Sequence, residues 1–398
     1  MKRMIYIPLV LTAVLLLTSC EETVLDVNPP IASVEDARLD NEAQIPFLVT
    51  GIQSKFAEIY GALAVMSGAL SDELVFDRTV PGATYPSYAE LETGQITLTN
   101  ASVQGDGLLV LGEYRLLADT LVARVGRITF TDESLRGYAL YHAYLHGAIA
   151  RYFWGAYFGL EPERGGGVIN AGPFIPSADM YAQALTLLDL AIQNAPTPTD
   201  AAVASSLAAR IHLIEGRFSE ASAAAQAGLQ QGDPSFSALY NTDQPNYWYF
   251  SAGSGRTQFV VDDRFPAYLQ EHPAESARIP VVQVTQTRFR QDKYPELDSP
   301  LPFVTWQEMA LIQAEVALRD GQAGPALDLV NTVRQSHGLA DLDDLTLEGM
   351  LTERDKELFC MGIRLIDQRR LDIWHLPDGT WKYLPITQRE RDSNPNLN

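Results

Sequence analysis

Cysteine and lysine are scarce in this sequence, and its body carries no long apolar run. The 398 residues hold two cysteines, Cys20 and Cys360, and only five of the 29 basic residues are lysine. Cys20 sits where a processed N-terminus would fall, which leaves no intramolecular disulfide framework, so a packed core must hold the fold. Cys360, between Phe359 and Met361, reads as a small buried hydrophobe and not as a nucleophile. A formal charge of −21, with no clustering of arginine, excludes nucleic acid as a partner. Chemistry-bearing motifs are missing too. No Gly-x-Ser-x-Gly nucleophile turn occurs, and Ser254-Gly255-Arg256 lacks the lysine of a phosphate loop. His142 and His146 are four apart with no acidic base between them, so they read as core or surface histidines. Asp341, Asp343 and Asp344 loosely resemble a calcium loop, but the glycine that should follow the third acid is absent. The expectation is no catalytic residue, no metal and no cofactor.

What is present begins at the N-terminus. Met1 to Arg3 are positively charged, Met4 to Leu17 are almost wholly apolar, and Leu17-Thr18-Ser19-Cys20 follows at once. The apolar run falls short of the roughly 20 residues a spanning helix needs. Charge, apolar segment and small-residue cleavage point are the parts of a secretory signal. With cysteine just beyond, the stretch resembles the lipobox of bacterial lipoproteins. Residues 1–19 are thus expected to be a signal peptide, Cys20 the lipid attachment site, and 20–35 a tether made extended by Pro29 and Pro30. Glu21 and Glu22 resemble a surface-export signal of Bacteroidota lipoproteins.

Residues 36–398 read as one mainly α domain. From Asp36 to about Arg127 two long helical segments flank a loop, Asp77 to Thr99, rich in Gly, Pro, Thr and Tyr. Tyr138, Tyr141, Leu145, Ala148 and Tyr152 form one helical stripe, and Gly165-Gly166-Gly167 ends that region as a flexible loop. Ser177 is the expected cap of the next helix, and another, from Asp200, ends at Gly216. A third runs from Ser219 to about Gln230. Thr305 and Glu308 open a further helix as a capping box, and Gly321 closes it. Aligning Gly216 with Gly321, 105 residues apart, also aligns Ala209 with Ala314, Leu213 with Leu318 and Ala221 with Ala326. Small residues at fixed offsets from a turn glycine predict two tetratricopeptide-like hairpins. Between them, residues 233–302 form a loop-rich insertion with strand-like runs at Gln258 to Val261 and Val281 to Thr287.

The C-terminal region, 303–398, holds the most specific wording. Leu311-Ile312-Gln313-Ala314-Glu315 is followed by Asn331-Thr332-Val333-Arg334, Glu353-Arg354-Asp355-Lys356-Glu357-Leu358, and Gly362-x-Arg364-x-x-Asp367-x-x-Arg370. Tyr383-Leu384-Pro385-Ile386 and Asn394-Pro395-Asn396-Leu397 end the chain. In this order the motifs resemble those of SusD/RagB proteins, as does Ser71-Asp72-Glu73 upstream. In physical terms Arg364, Asp367 and Arg370 stand three apart, with Glu357 two helical turns before them, and these four predict ion-pair ladders along the helices.

The resemblance implies a SusD-like helical scaffold, lipid-anchored in the outer membrane and exposed at the cell surface. It further implies capture of nutrient, by default oligosaccharide, for a SusC/RagA-type TonB-dependent transporter. Peptide or amino-acid capture is the nearest alternative. A glycoside hydrolase is a third, since fifty acidic residues offer many carboxylate pairs. On the loops, Tyr85, Tyr88, Tyr247 and Trp248 are the candidate stacking surfaces for a sugar, with Asp77, Arg78 and Asn246 directing hydrogen bonds to hydroxyls. The cluster Tyr247 to Phe250 is expected in a loop.

Overall fold

The computed structural model describes residues 36–80 and 83–397. The expected signal peptide, Cys20 and the tether lie outside the described residues. Among those described, no helix is long and apolar enough to cross a membrane.

The first long helix, α1 (Ile45–Leu70), becomes buried on every side in its second half, where Ala57 to Leu70 is mostly small and apolar. A helix apolar all round belongs in the middle of a core. Strand β1 (Leu74–Phe76), the short α2 (Ser87–Thr93), and a π-helical stretch, Val103–Leu109, lead into α3 (Val110–Val125). Asp132 caps α4 (Glu133–Tyr157) by accepting from Ser134 and Leu135 N–H. Tyr141, Leu145, Ala148 and Tyr152 of the expected stripe are fully or almost fully buried against their neighbours.

The glycine triplet is a strand and not a flexible loop. β2 (Phe158–Glu161), β3 (Arg164–Gly167) and β4 (Ile175–Pro176) form a sheet in which glycine removes collisions. A Cβ on Gly167 would sit 2.2 Å from the Trp154 ring, and one on Gly165 would sit 2.3 Å from Tyr383. The cap of α5 (Ser177–Gln193) also differs from expectation: Pro176 occupies the position, and the Ser177 hydroxyl donates to Gly155 O at 2.7 Å.

Thr197 caps α6 (Pro198–Ile214), and Gly216 turns the chain at φ 71 into α7 (Phe218–Gln226). Strand β5 (Phe236–Ala238), α8 (Tyr247–Ser251), β6 (Phe259–Val261), α9 (Arg264–Glu271), β7 (Val281–Gln283), β8 (Phe289–Gln291) and β9 (Leu301–Val304) make up the insertion and its edges. β5 pairs antiparallel with β9, so the insertion leaves and rejoins the scaffold at one place. That pairing lets the second hairpin, α10 (Trp306–Arg319) and α11 (Ala323–Ser336), stack directly on the first. Met309 and Ile312 pack among Ala209, Leu213, Ala221 and Ala225. Gly321, at φ 74, makes the matching turn. The chain ends with α12 (Leu347–Glu357), α13 (Arg364–Arg370), β10 (Leu384–Pro385) and α14 (Gln388–Ser393).

The C-terminal charges join different elements more than they ladder along one. Arg210 and Glu308, both buried, pair at 2.6 Å between α6 and α10. Asp367 takes Arg354 at 2.9 Å and Arg370 at 2.6 Å, and Arg370 reaches Glu315 at 2.8 Å. Arg364 pairs with Asp72 at 2.6 Å, 292 positions away in sequence. A second group joins Glu275, Arg278, Arg334, Glu353 and Lys356, again buried. Of the four residues expected to ladder, Asp367 and Arg370 pair along a helix, and Glu353 with Lys356 at 3.2 Å shows the same spacing in α12. His142 and His146 are buried, and the Tyr114 hydroxyl lies 2.7 Å from His146 Nδ1. Among the described residues no group of three His, Cys, Asp or Glu side chains is placed to hold a metal.

Glu73 is buried beside this network, accepting the Cys360 N–H at 2.7 Å. Burial pushes its carboxyl up from 4.5 to about 7, against that hydrogen bond. Between those two values the folded chain holds a proton the unfolded chain has released, so stability falls as pH rises through the window. The opposite sign applies to Glu275 and Asp367: burial alone would raise them, but their arginine partners hold both at about 2. Their contribution is complete above the ordinary carboxylate range and lost on acidification toward about pH 2. Glu73→Gln keeps the acceptor for Cys360 and removes the charge. Urea unfolding should show it level with the parent near pH 4 and more stable by on the order of 3 kcal/mol at about pH 8. An equal difference at both pH values would dismiss a buried, titrating Glu73.

Candidate functional site

The loop after β1 becomes a surface because three segments from different parts of the chain are tied together beneath it. β1 pairs antiparallel with β6, and Asp77 N–H continues the ladder to Gln258 O at 2.8 Å. The Gln258 side chain then joins two loops. Its Oε1 accepts from Thr84 N–H at 2.7 Å and Thr84 Oγ1 at 2.9 Å, and its Nε2 donates to Phe250 O at 3.4 Å. Tyr85 follows Thr84, so Tyr85 and Phe250 are carried on adjoining backbones. Tyr85 is 73% exposed and Phe250 43%. Phe250 is set edge-on to Tyr249 at 4.9 Å, and Gly255 lets the Tyr249 ring lie against the loop, since a Cβ there would meet it at 2.2 Å.

Polar groups frame the aromatics. Asp77 Oδ1 accepts from Thr79 N–H at 2.9 Å and Thr79 Oγ1 at 2.6 Å, and pairs with Arg288 at 2.5 Å from the β7–β8 hairpin. Burial acts to raise the Asp77 carboxyl, but Arg288 and Thr79 outweigh it and hold it below its ordinary value. Arg78 pairs with Glu92 at 2.7 Å and lies 5.8 Å from the Phe76 ring centroid. The arginines at this face are half-exposed, with 40% of the Arg288 side chain and 53% of the Arg78 side chain open to solvent.

The remaining expected residues are beneath that face. Tyr88 is buried against Phe259 at 4.8 Å, and its hydroxyl is 3.3 Å from that of Tyr247, which donates to Asp106 Oδ2 at 2.8 Å. Burial raises all three groups from their ordinary values. The Tyr247 to Phe250 cluster is helical and not a loop: Asn246 caps α8, its Oδ1 accepting Trp248 N–H at 2.8 Å and its Nδ2 donating to Ser299 O at 2.7 Å. Asn246 and Trp248 are both 0% exposed. In this conformation they support the face from below and offer it no surface. The two segments named from the sequence do meet, since Tyr88 and Tyr247 touch across 159 positions. The sequence did not single out Arg288, Gln258 or Phe250. Only pairing over more than 150 residues gives Gln258 its role, and no local pattern marks it.

The overall helical fold is shared with several solved proteins. A SusD superfamily protein from Bacteroides thetaiotaomicron matches with a TM-score of 0.74 at 15% identity, over 89% of this chain and 98% of that one. Surface glycan-binding protein A from Bacteroides uniformis matches at 0.71 and 20% identity, over 90% and 99%. Surface glycan-binding protein A from Bacteroides thetaiotaomicron, in complex with laminarihexaose, matches at 0.69 and 17%, over 90% and 99%. No protein-family model and no curated protein matches the chain. The fold is SusD-like.

Proposed function

We propose that this protein binds oligosaccharide at the cell surface, without transforming it, and passes it to a SusC/RagA-type TonB-dependent transporter. The observation that carries the reading is the pair Tyr85 and Phe250, held exposed by one glutamine and framed by Arg78, Arg288 and Thr79. Exposed aromatic rings stack on the apolar faces of sugars, and half-exposed arginines and hydroxyls satisfy sugar hydroxyls at little cost in ordering. The arrangement favours binding over catalysis. A glycoside hydrolase needs a carboxylic acid with a raised pKa at the sugar, whereas at this face Asp77 is held low by Arg288 and Thr79, and the raised Asp106 lies beneath it, engaged by Tyr247. The SusD-like fold supports the same reading, since proteins of that fold include surface glycan-binding proteins. Cys20 would tie the domain to the outer membrane, leaving the loop face free.

Calorimetric titration of the purified chain with laminarihexaose and other glucans, with a pentapeptide mixture alongside, tests this directly. Saturable binding of a glycan, with no new reducing ends on prolonged incubation, is the expected result. Binding confined to peptides, or release of reducing ends, would replace this reading.

A further inference from the structure

The segments that build the glycan face, residues 74–92, 247–261 and 281–291, contain no lysine, so their positive charge comes from Arg78, Arg256, Arg288 and Arg290 alone. None of the four stands unpartnered. Arg288 pairs with Asp77 at 2.5 Å, Arg78 with Glu92 at 2.7 Å and Arg290 with Asp292 at 3.1 Å, and Arg256 is engaged as well. In the two pairs that frame the exposed rings the acid is the deeper member. Only 9% of the Asp77 side chain and 20% of the Glu92 side chain are open, against half-exposed arginine partners. A ligand on this face meets the arginines before the acids that neutralise them.

Such a pair presents hydrogen-bond donors without net charge. A guanidinium carries several N–H groups and one carboxylate occupies at most a bidentate pair of them, so donors are left for ligand hydroxyls. Asp77 has little left to offer as an acceptor, since its Oδ1 takes the Thr79 N–H and hydroxyl besides Arg288. Physiological salt screens charges from one another beyond about 8 Å, so an incoming acidic sugar answers mainly to the groups it touches and less to the −21 of the whole chain. At this face those groups are neutral in pairs. Whatever attraction an arginine exerts on a carboxylate, the acid behind it opposes at nearly the same range. Exposed donors with cancelled charge suit a neutral, hydroxyl-rich ligand, and the acids are the repulsive element that discriminates against an anion.

We propose that Asp77 and Glu92 are specificity-determining residues of the glycan face: they mask the charge of Arg288 and Arg78, fitting the face to neutral glycans and excluding acidic ones such as uronates. The inference rests on the glycan-binding reading and narrows its substrate class. Both acids act through their arginines and need not touch the sugar. For Asp77 that replaces the direct hydrogen bonding to hydroxyls expected from the sequence.

Laminarihexaose, cellohexaose and maltohexaose, each beside its C6-oxidised hexaglucuronate, supply matched neutral and acidic probes for calorimetric titration. The parent should bind at least one neutral hexaose about tenfold or more tightly than its oxidised form. Asp77→Asn keeps an acceptor for Thr79 and Glu92→Gln keeps one for Arg78, so the double variant removes the masking charge with little change in shape. It should shift the neutral-to-acidic ratio by about tenfold toward the acidic probe, the size expected of two exposed charge contacts. The gained affinity should fade as salt is raised, and Arg78→Gln with Arg288→Gln in the same background should abolish it. Were the pairs only clamps for the loops, both affinities would fall together and their ratio would stay. A parent that binds the oxidised probe as tightly as the neutral one, or a double variant with the parental ratio, overturns the proposal and leaves glycan binding standing. If neither form of any hexaose binds the parent or the variant, the glycan-binding reading fails, and this proposal with it.

Discussion

Arg210→Met should lower the free energy of unfolding by about 3–5 kcal/mol, because it strands a carboxylate in the core. Glu308 is 0% exposed and takes two hydrogen bonds from Arg210, at 2.7 and 2.6 Å. Its next cation, Arg354, is 3.8 Å away and engaged with Asp367 at 2.9 Å. Arg210 also donates to Phe303 O and lies 4.8 Å from the Phe303 ring centroid, so the arginine joins α6, β9 and α10 at one point. Breaking a buried pair by removing one member costs far more than replacing both with apolar groups of similar size. Arg210→Met with Glu308→Leu should therefore recover most of the loss, bringing the urea midpoint back toward that of the parent. Should the single variant unfold at the parental midpoint, the pair is not holding the hairpins together. A double variant no better than the single one would show that Arg210 acts mainly through Phe303.

These charges also show how far the sequence could be read. Gly216 and Gly321 turn where their spacing placed them, at positive φ, and Thr305 caps its helix by accepting Glu308 N–H at 3.1 Å, because such signals act within a few residues. Glu308 itself was expected to complete a capping box, but its carboxylate belongs to Arg210. A charge three positions from a cap has a local option in every helix, and only the tertiary fold reveals a stronger distant partner. The glycine triplet illustrates the same limit. Flexibility and close approach both select glycine, and only the rings of Trp154 and Tyr383 against Gly167 and Gly165 tell them apart. At the candidate site, aromatic content pointed to two segments that meet in the fold but not to their exposed members. Trp248 is the largest ring of its cluster and lies in the core, 6.1 Å from Tyr294, while Phe250 two positions on faces solvent. A one-turn helix decides which ring points out, and its register depends on Asn246 reaching Ser299.

Tyr85→Ala with Phe250→Ala should weaken glycan binding about 30- to 100-fold, with each single change costing roughly tenfold. The estimate rests on stacking and burial terms of about 1.5 kcal/mol per ring, where 1.4 kcal/mol is a factor of ten in affinity. Both rings are exposed and held by the same glutamine, so their removal leaves the core intact and the variants should unfold like the parent. Gln258→Leu offers a sharper contrast. It retains both rings but loses the acceptor for Thr84 and the donor to Phe250 O, so affinity should fall through misplacement of rings that are still present. Trp248→Phe should behave in the opposite way, lowering stability with little change in affinity, because its ring is covered on every side. If Trp248→Phe abolished binding while the Tyr85, Phe250 double variant bound normally, α8 would have to open before the ligand enters. The face formed by Tyr85 and Phe250 would then not be where the sugar rests.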